Sequence, residues 1–105
     1  MVLVTNTYAI TINFPKEERF GLISQLRRCA VSIPSNIAEG YGRQSKNEFR
    51  RFLDIAMGSL YELQTQIEIA LNLKLINEDE YNEIYNPSRE LERMLSAFIS
   101  HIKNG

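Results

Sequence analysis

Between Phe49 and Leu71 apolar residues recur at helical spacing without a break. Phe49, Phe52, Leu53, Ala56, Leu60, Leu63, Ile67, Ala70 and Leu71 fall within an arc of about 100° when wound at 3.6 residues per turn. A strand would bring residues of period two onto one face, so this pattern requires a helix. The spacing predicts that helix over about residues 46–74, roughly 42 Å long at 1.5 Å per residue. A stripe of that length must be covered, because apolar surface left in water forgoes the main driving force for folding. With 105 residues the chain supports one domain and one modest core.

The neighbouring segments supply the cover. Phe20, Ile23, Leu26, Ala30, Ile33 and Ile37 form a second stripe, about 140° wide, on a helix over roughly residues 20–40. Pro34 lies inside it and predicts a kink rather than a stop. Gly40 and Gly42 give the chain freedom to reverse, and Ser45-x-x-Glu48 is a capping box that opens the long helix. Asn77-x-x-Glu80 is another, with Glu78, Asp79 and Glu80 suited to the positive end of a helix dipole. A last helix over about 78–103 points Tyr81, Ile84, Tyr85, Leu91, Leu95, Phe98, Ile99 and Ile102 inward, with Pro87 expected to bend it.

Residues 1–14 read two ways. Val2, Val4, Thr5, Thr7, Ile10, Thr11 and Ile12 are β-branched and favour a strand, yet Leu3, Tyr8 (or Thr7), Ile10 and Phe14 also fit helical spacing. Phe14-Pro15 ends the element either way. Short connections between long helices predict antiparallel neighbours. The expected fold is all-α: an antiparallel up-down-up-down four-helix bundle with a short first helix, one domain over residues 1–105.

A net charge of −1 hides a polarised chain. Arg27, Arg28, Arg43, Lys46, Arg50 and Arg51 stand against only Glu39 and Glu48 between residues 27 and 51, a local balance of +4. From residue 52 onward the balance is −5, with four basic and nine acidic residues. Whole-surface nucleic-acid binding is therefore excluded, and any anion binding must be local. The six cations are the candidate nucleic-acid site, because the arginine fork matches phosphate and phosphate carries no base identity. Two other readings stay open: ordinary or inter-subunit salt bridges, with Arg51 pairing Glu48 or Glu62, and an acidic protein partner. Tyr41 is a packing aromatic or a platform for a base.

On the long helix, Ile55, Ile69 and Leu73 share a second side with Arg51, Glu62 and Gln66. The set Ile55, Glu62, Gln66, Ile69 and Leu73 is the candidate oligomer interface. Ser32, Ser35, Asn36 and Glu39 are expected to satisfy the backbone freed by Pro34 and to cap the turn; the other reading is that Asn36 and Glu39 contact a ligand or a neighbouring subunit. Cys29 is read as a small packing residue whose arginine neighbours could lower its pKa. A single cysteine allows no internal disulfide, no apolar run reaches the ~20 residues of a membrane span, and the start lacks the features of a signal peptide. Cytoplasm is the expected location. Glu62 and Gln66 lack the Glu-x-x-His partners of a di-metal bundle, and His101, the sole histidine, belongs on the surface. No cofactor, metal or catalytic set is expected, hence no enzyme.

Several strings carry a resemblance. Phe14-Pro-Lys-Glu-Glu-Arg-Phe-Gly-Leu22, Gln25-Leu-Arg-Arg28, Ser32-Ile-Pro-Ser-Asn-Ile-Ala-Glu-Gly40 and Gly42-Arg-Gln-Ser45 resemble the bacterial four-helix-bundle proteins encoded by intervening sequences in 23S rRNA genes. Phe49, Phe52-Leu53, Gly58-Ser-Leu60 and Glu62-Leu-x-Thr-Gln66 extend the likeness along the long helix. It implies a left-handed bundle assembled as a homopentamer, without enzymatic activity, and a helical residue 1–14 segment. It also implies kinship with the accessory variability proteins of diversity-generating retroelements, which bind nucleic acid and a reverse transcriptase through a basic surface. Two departures stand out: fewer residues precede Val2 than the family pattern carries, and Pro87 falls in a helix the family leaves unbroken.

Overall fold

The computed structural model describes residues 2–104, except the side chains of residues 18–20 and 104. Four helices carry the fold: α1 (Val2–Thr11), α2 (Ser24–Tyr41), α3 (Lys46–Asn72) and α4 (Glu78–Asn104). No strand occurs among the described residues. The expected all-α four-helix bundle is what forms.

Helix α1 forms despite its β-branched content because its threonines have local partners. The Thr7 hydroxyl donates to the Leu3 carbonyl at 2.6 Å and the Thr11 hydroxyl to the Thr7 carbonyl at 2.7 Å. Each hydroxyl is thereby satisfied within the helix and buried beside Leu3 and Ile10. Thr7 rather than Tyr8 completes the inward stripe; Tyr8 is exposed.

The stretch between α1 and α2 departs from the expected helix over residues 20–40. A single 3₁₀ turn over Lys16–Glu18 leads into a wide turn over Arg19–Ile23, where Gly21 leaves helical geometry (φ −100°, ψ −106°). Regular helix begins only at Ser24, and Phe20 lies outside the described side chains. From there Leu26, Ala30 and Ile33 are buried as the stripe predicts, with Cys29 beside them. Helix α2 runs through Pro34 and α4 through Pro87. Proline in a helix removes the donor to the carbonyl four residues earlier, which for Pro87 is that of Glu83. The Asn6 side-chain amide donates to this carbonyl at 3.1 Å, so a residue of α1 satisfies the group that Pro87 frees in α4. At Pro34 the expected compensation does not occur: Asn36 donates to the Ser32 carbonyl and hydroxyl, not to Ala30.

Side-chain contacts fix the direction of neighbours. Between α2 and α3 they join Gln25 to Gln66, Arg28 to Glu62 and Ser32 to Ser59, so the helices run antiparallel. Phe49 meets Phe98 and Gln64 meets Ser88, which makes α3 and α4 antiparallel too. Both capping boxes sit at helix starts. Ser45 accepts from the Glu48 amide at 3.1 Å; Asn77 and Glu80 bond reciprocally, at 2.8 and 3.0 Å. Leu53, Ala56, Leu60, Leu63, Ile67 and Ala70 of α3 are fully covered. In α4 the stripe is corrected in two places. Phe98 is 39% exposed, and Ser88, absent from the expected set, is wholly buried with its hydroxyl donating to the Tyr85 carbonyl at 2.7 Å.

Two positions give direct stability tests. A Cβ at Gly40 would stand 2.8 Å from Phe49 Cδ1 and 3.2 Å from the Phe52 Cβ, so Gly40→Val is expected to cost about 1–3 kcal/mol in urea unfolding through overpacking. Lys74 holds φ 61° after α3, while the Leu75 amide reaches the Ala70 carbonyl and the Lys74 amide that of Leu71. This is the Schellman arrangement with lysine at the glycine position. Lys74→Gly should raise stability by roughly 1 kcal/mol, and a loss would contradict the strain assigned to that residue.

Candidate nucleic-acid interface

The six candidate cations divide into two groups. Arg27 and Arg28 lie midway along the bundle, and about 20 Å of helix separates Arg28 from Gly42 at 1.5 Å per residue. Arg43, Lys46, Arg50 and Arg51 surround the α2–α3 turn and the first turns of α3. Successive positions on a helix differ by 100°, so Arg50 and Arg51 point to different sides and this second group forms a collar rather than a flat patch.

The partners of each cation differ. Arg43 pairs with Glu39 at 2.9 Å, and its guanidinium lies 4.7 Å from the centre of the Phe52 ring. Arg50 reaches Asp54 at 3.9 Å. Arg51 is exposed and has no ion-pair partner among the described residues; the pairing with Glu48 or Glu62 does not form, and Glu62 instead meets Arg28 at 3.3 Å. Arg27 is half-buried and donates from Nε to the Thr11 hydroxyl at 2.9 Å. Solvent-exposed pairs such as these are worth little and open readily. The start of α3 adds its own positive field to the collar, because unpaired amides and the helix dipole favour anions there.

Beside the collar, Tyr41 is 67% exposed and its ring sits 5.0 Å from that of Phe49, which in turn meets Phe98 edge-on at 5.6 Å. The turn end of the bundle therefore presents cations and an aromatic surface together.

The strip on α3 is mixed. Ile55, Ile69 and Leu73 are 44%, 42% and 59% exposed, but Glu62 is half-buried and Gln66 is buried against α2. Gln66 donates to both Gln25 and Glu62, at 3.1 and 3.2 Å, which places it between helices of one subunit. Among the described residues no three histidine, cysteine, aspartate or glutamate side chains gather to hold a metal, and no helix is long and apolar enough to cross a membrane.

The chain matches the family model described as 23S rRNA-intervening sequence protein over residues 1–97. It belongs to that family. A crystal structure from the S23 ribosomal protein family, a protein of unknown function from Bacteroides thetaiotaomicron, is similar at 28% identity with a TM-score of 0.81, covering 91% of this chain and 87% of that one. No curated protein matches. The likeness on which the strings from Phe14 to Gln66 were read is therefore that of a family member.

Within this family member Cys29 packs in the core as expected, and the lowering effect of its arginine neighbour is outweighed by burial. The thiol is 1% exposed, and burial is the main cause that pushes it from an ordinary 9.0 to about 12. The nearby Glu62 carboxylate acts in the same direction, and Arg28 opposes it. Between pH 9 and 12 the folded thiol keeps its proton while the unfolded one loses it. Stability contributed by the neutral thiol is whole below pH 9 and is lost as pH rises through that window. Urea unfolding across pH 9–11 should fall less steeply for Cys29→Ala than for the parent, by up to about 1.4 kcal/mol per pH unit; equal slopes would mean that the thiol ionises freely in the fold.

Proposed function

We propose that this protein is a non-enzymatic, self-associating bundle that presents the cation collar at its α2–α3 turn, in several copies, to the phosphate backbone of nucleic acid. The observation that carries the reading is Arg51, exposed and unpaired by carboxylate among the described residues, beside Arg43, Lys46 and Arg50 at the positive end of α3. Phosphate competes well for the guanidinium forks of Arg43 and Arg50, since their present partners are weak surface pairs. One collar is a modest site. Repetition by symmetry raises its effect without any new contact, and the exposed Ile55, Ile69 and Leu73 of α3 are the surface we assign to the contact between copies. A pentamer is the assembly that family resemblance implies, and an rRNA-associated role is consistent with the family description. The cytoplasm is the compartment this role requires.

A second reading is that the collar docks an acidic protein surface. Within the collar Arg43 already pairs with Glu39 and Arg50 with Asp54, so its guanidinium groups meet carboxylates in the geometry they hold.

Fluorescence anisotropy with labelled RNA and DNA at two salt concentrations, together with the native mass, tests both. Binding should show weak sequence preference, and affinity should fall steeply with salt. Arg43→Ala/Arg50→Ala/Arg51→Ala should lower the slope of log K against log salt by roughly 2–3 per engaged subunit while leaving the native mass unchanged. Unaltered binding by that variant removes the collar from the interaction. Absence of binding at low salt, with a protein partner retained after nuclease treatment, favours the acidic surface.

A further inference from the structure

An open concavity of about 660 Å³ lies between α1 and α2, well away from the turn, with Tyr8, Ser24, Arg27, Arg28, Val31 and Ser32 on its walls. Arg27 is its distinctive member. The guanidinium sits 4.5 Å from the centre of the Tyr8 ring, and its Nε donates to the Thr11 hydroxyl. That hydroxyl gives its own proton to the Thr7 carbonyl at 2.7 Å, so it can only accept from Arg27. The side chain is thereby held in one orientation by a hydrogen bond and a ring, both neutral.

What this half-buried cation lacks is a counter-charge. Glu62, on the neighbouring helix, is engaged by Arg28 and Gln66, and no carboxylate pairs with Arg27 among the described residues. Withdrawing a guanidinium from water without an opposite charge is costly, and a bound anion relieves that cost. Thr11 takes only Nε and Arg27 lines the concavity, so its terminal N–H groups, the fork that suits a phosphate, carry no hydrogen bond to the described residues. Arg28 supplies a second charge, because an exposed contact of 3.3 Å to Glu62 is a weak tie. Ser24 adds an exposed hydroxyl. Val31 and Tyr8 are exposed apolar surface in the same hollow, and its volume holds more than a bare ion.

We propose that this concavity binds a small phosphate monoester whose phosphate dianion rests on Arg27 and Arg28 and whose apolar group lies on Val31 and Tyr8. The site is independent of the collar at the α2–α3 turn, and it stands or falls without it.

Amide chemical shifts of the full chain, titrated with phenyl phosphate and separately with inorganic phosphate at low salt, test the assignment. Phenyl phosphate should move the amides of residues 24–32 and the Tyr8 ring saturably, and inorganic phosphate should do so about tenfold more weakly for want of the apolar contact. Arg27→Gln should weaken phenyl phosphate by about tenfold or more, through loss of a charge-assisted fork. Thr11→Val keeps the charge and removes the positioning hydrogen bond together with the local one to the Thr7 carbonyl, so it should weaken binding by about threefold; it also serves if Arg27→Gln does not fold. The triple alanine variant of the collar should titrate as the parent does. No saturable shift in residues 24–32 up to about 10 mM phenyl phosphate, a range that covers millimolar affinity, would overturn the site. So would parent-like affinity in both variants, or shifts at these amides produced by a short oligonucleotide but not by phenyl phosphate.

Discussion

Close approach of α2 and α3 is the constraint on which everything else in this bundle rests. Gly40 has no side chain at the point where Phe49 and Phe52 come nearest, and a turn of a few residues then brings the two helices side by side. From that end the contact continues through Ser32 with Ser59, Arg28 with Glu62 and Gln25 with Gln66. The apolar faces fill the interior beneath this polar seam. Because the seam is continuous, a change of register at the turn would separate every pair along it at once.

The same register decides which charges are available. Arg28 and Glu62 are joined only because α2 and α3 run antiparallel in this register, while Arg51, about 16 Å from Glu62 along α3, pairs with no carboxylate among the described residues. Glu62 also accepts from Gln66. One carboxylate thus holds side chains from two helices, while Arg27, a residue away on α2, pairs with no carboxylate among the described residues. The distribution of free cations is a consequence of helix packing, not of composition.

Much of the fold was legible in the chain. The stripe from Phe49 to Ala70 is apolar throughout, and its burial follows from spacing alone; the capping boxes at Ser45 and Asn77 mark helix starts because their chemistry is local. What spacing could not show lies where polar groups are buried by virtue of hydrogen bonds. Thr11 and Ser88 satisfy their hydroxyls on backbone carbonyls of their own helix, so they enter the core while looking like surface residues in the sequence. Phe98 was read inward on periodicity, yet it remains partly exposed over Phe49. The late start of α2 turns on backbone geometry at Gly21, which the stripe beginning at Phe20 concealed. For the candidate site the sequence supplied the right cations but not their grouping: Arg27 and Arg28 are near the turn in a count of charges and about 20 Å from it along α2.

That separation matters for how a near-neutral chain handles anions. A collar on exposed, flexible side chains holds phosphate by accumulated charge, gaining from repetition and losing to salt, because its cations are solvated whether or not a ligand is present. Arg27 is in the opposite regime. Partly withdrawn from water and fixed between Thr11 and Tyr8, it has lost hydration and rotamer freedom before any ligand arrives, so less is forfeited when one binds. The first arrangement suits a long polyanion met by many copies, and the second a small molecule met by one. Both follow from where the antiparallel pairing of α2 with α3, and the docking of α1 through Asn6, leave arginines relative to the carboxylates.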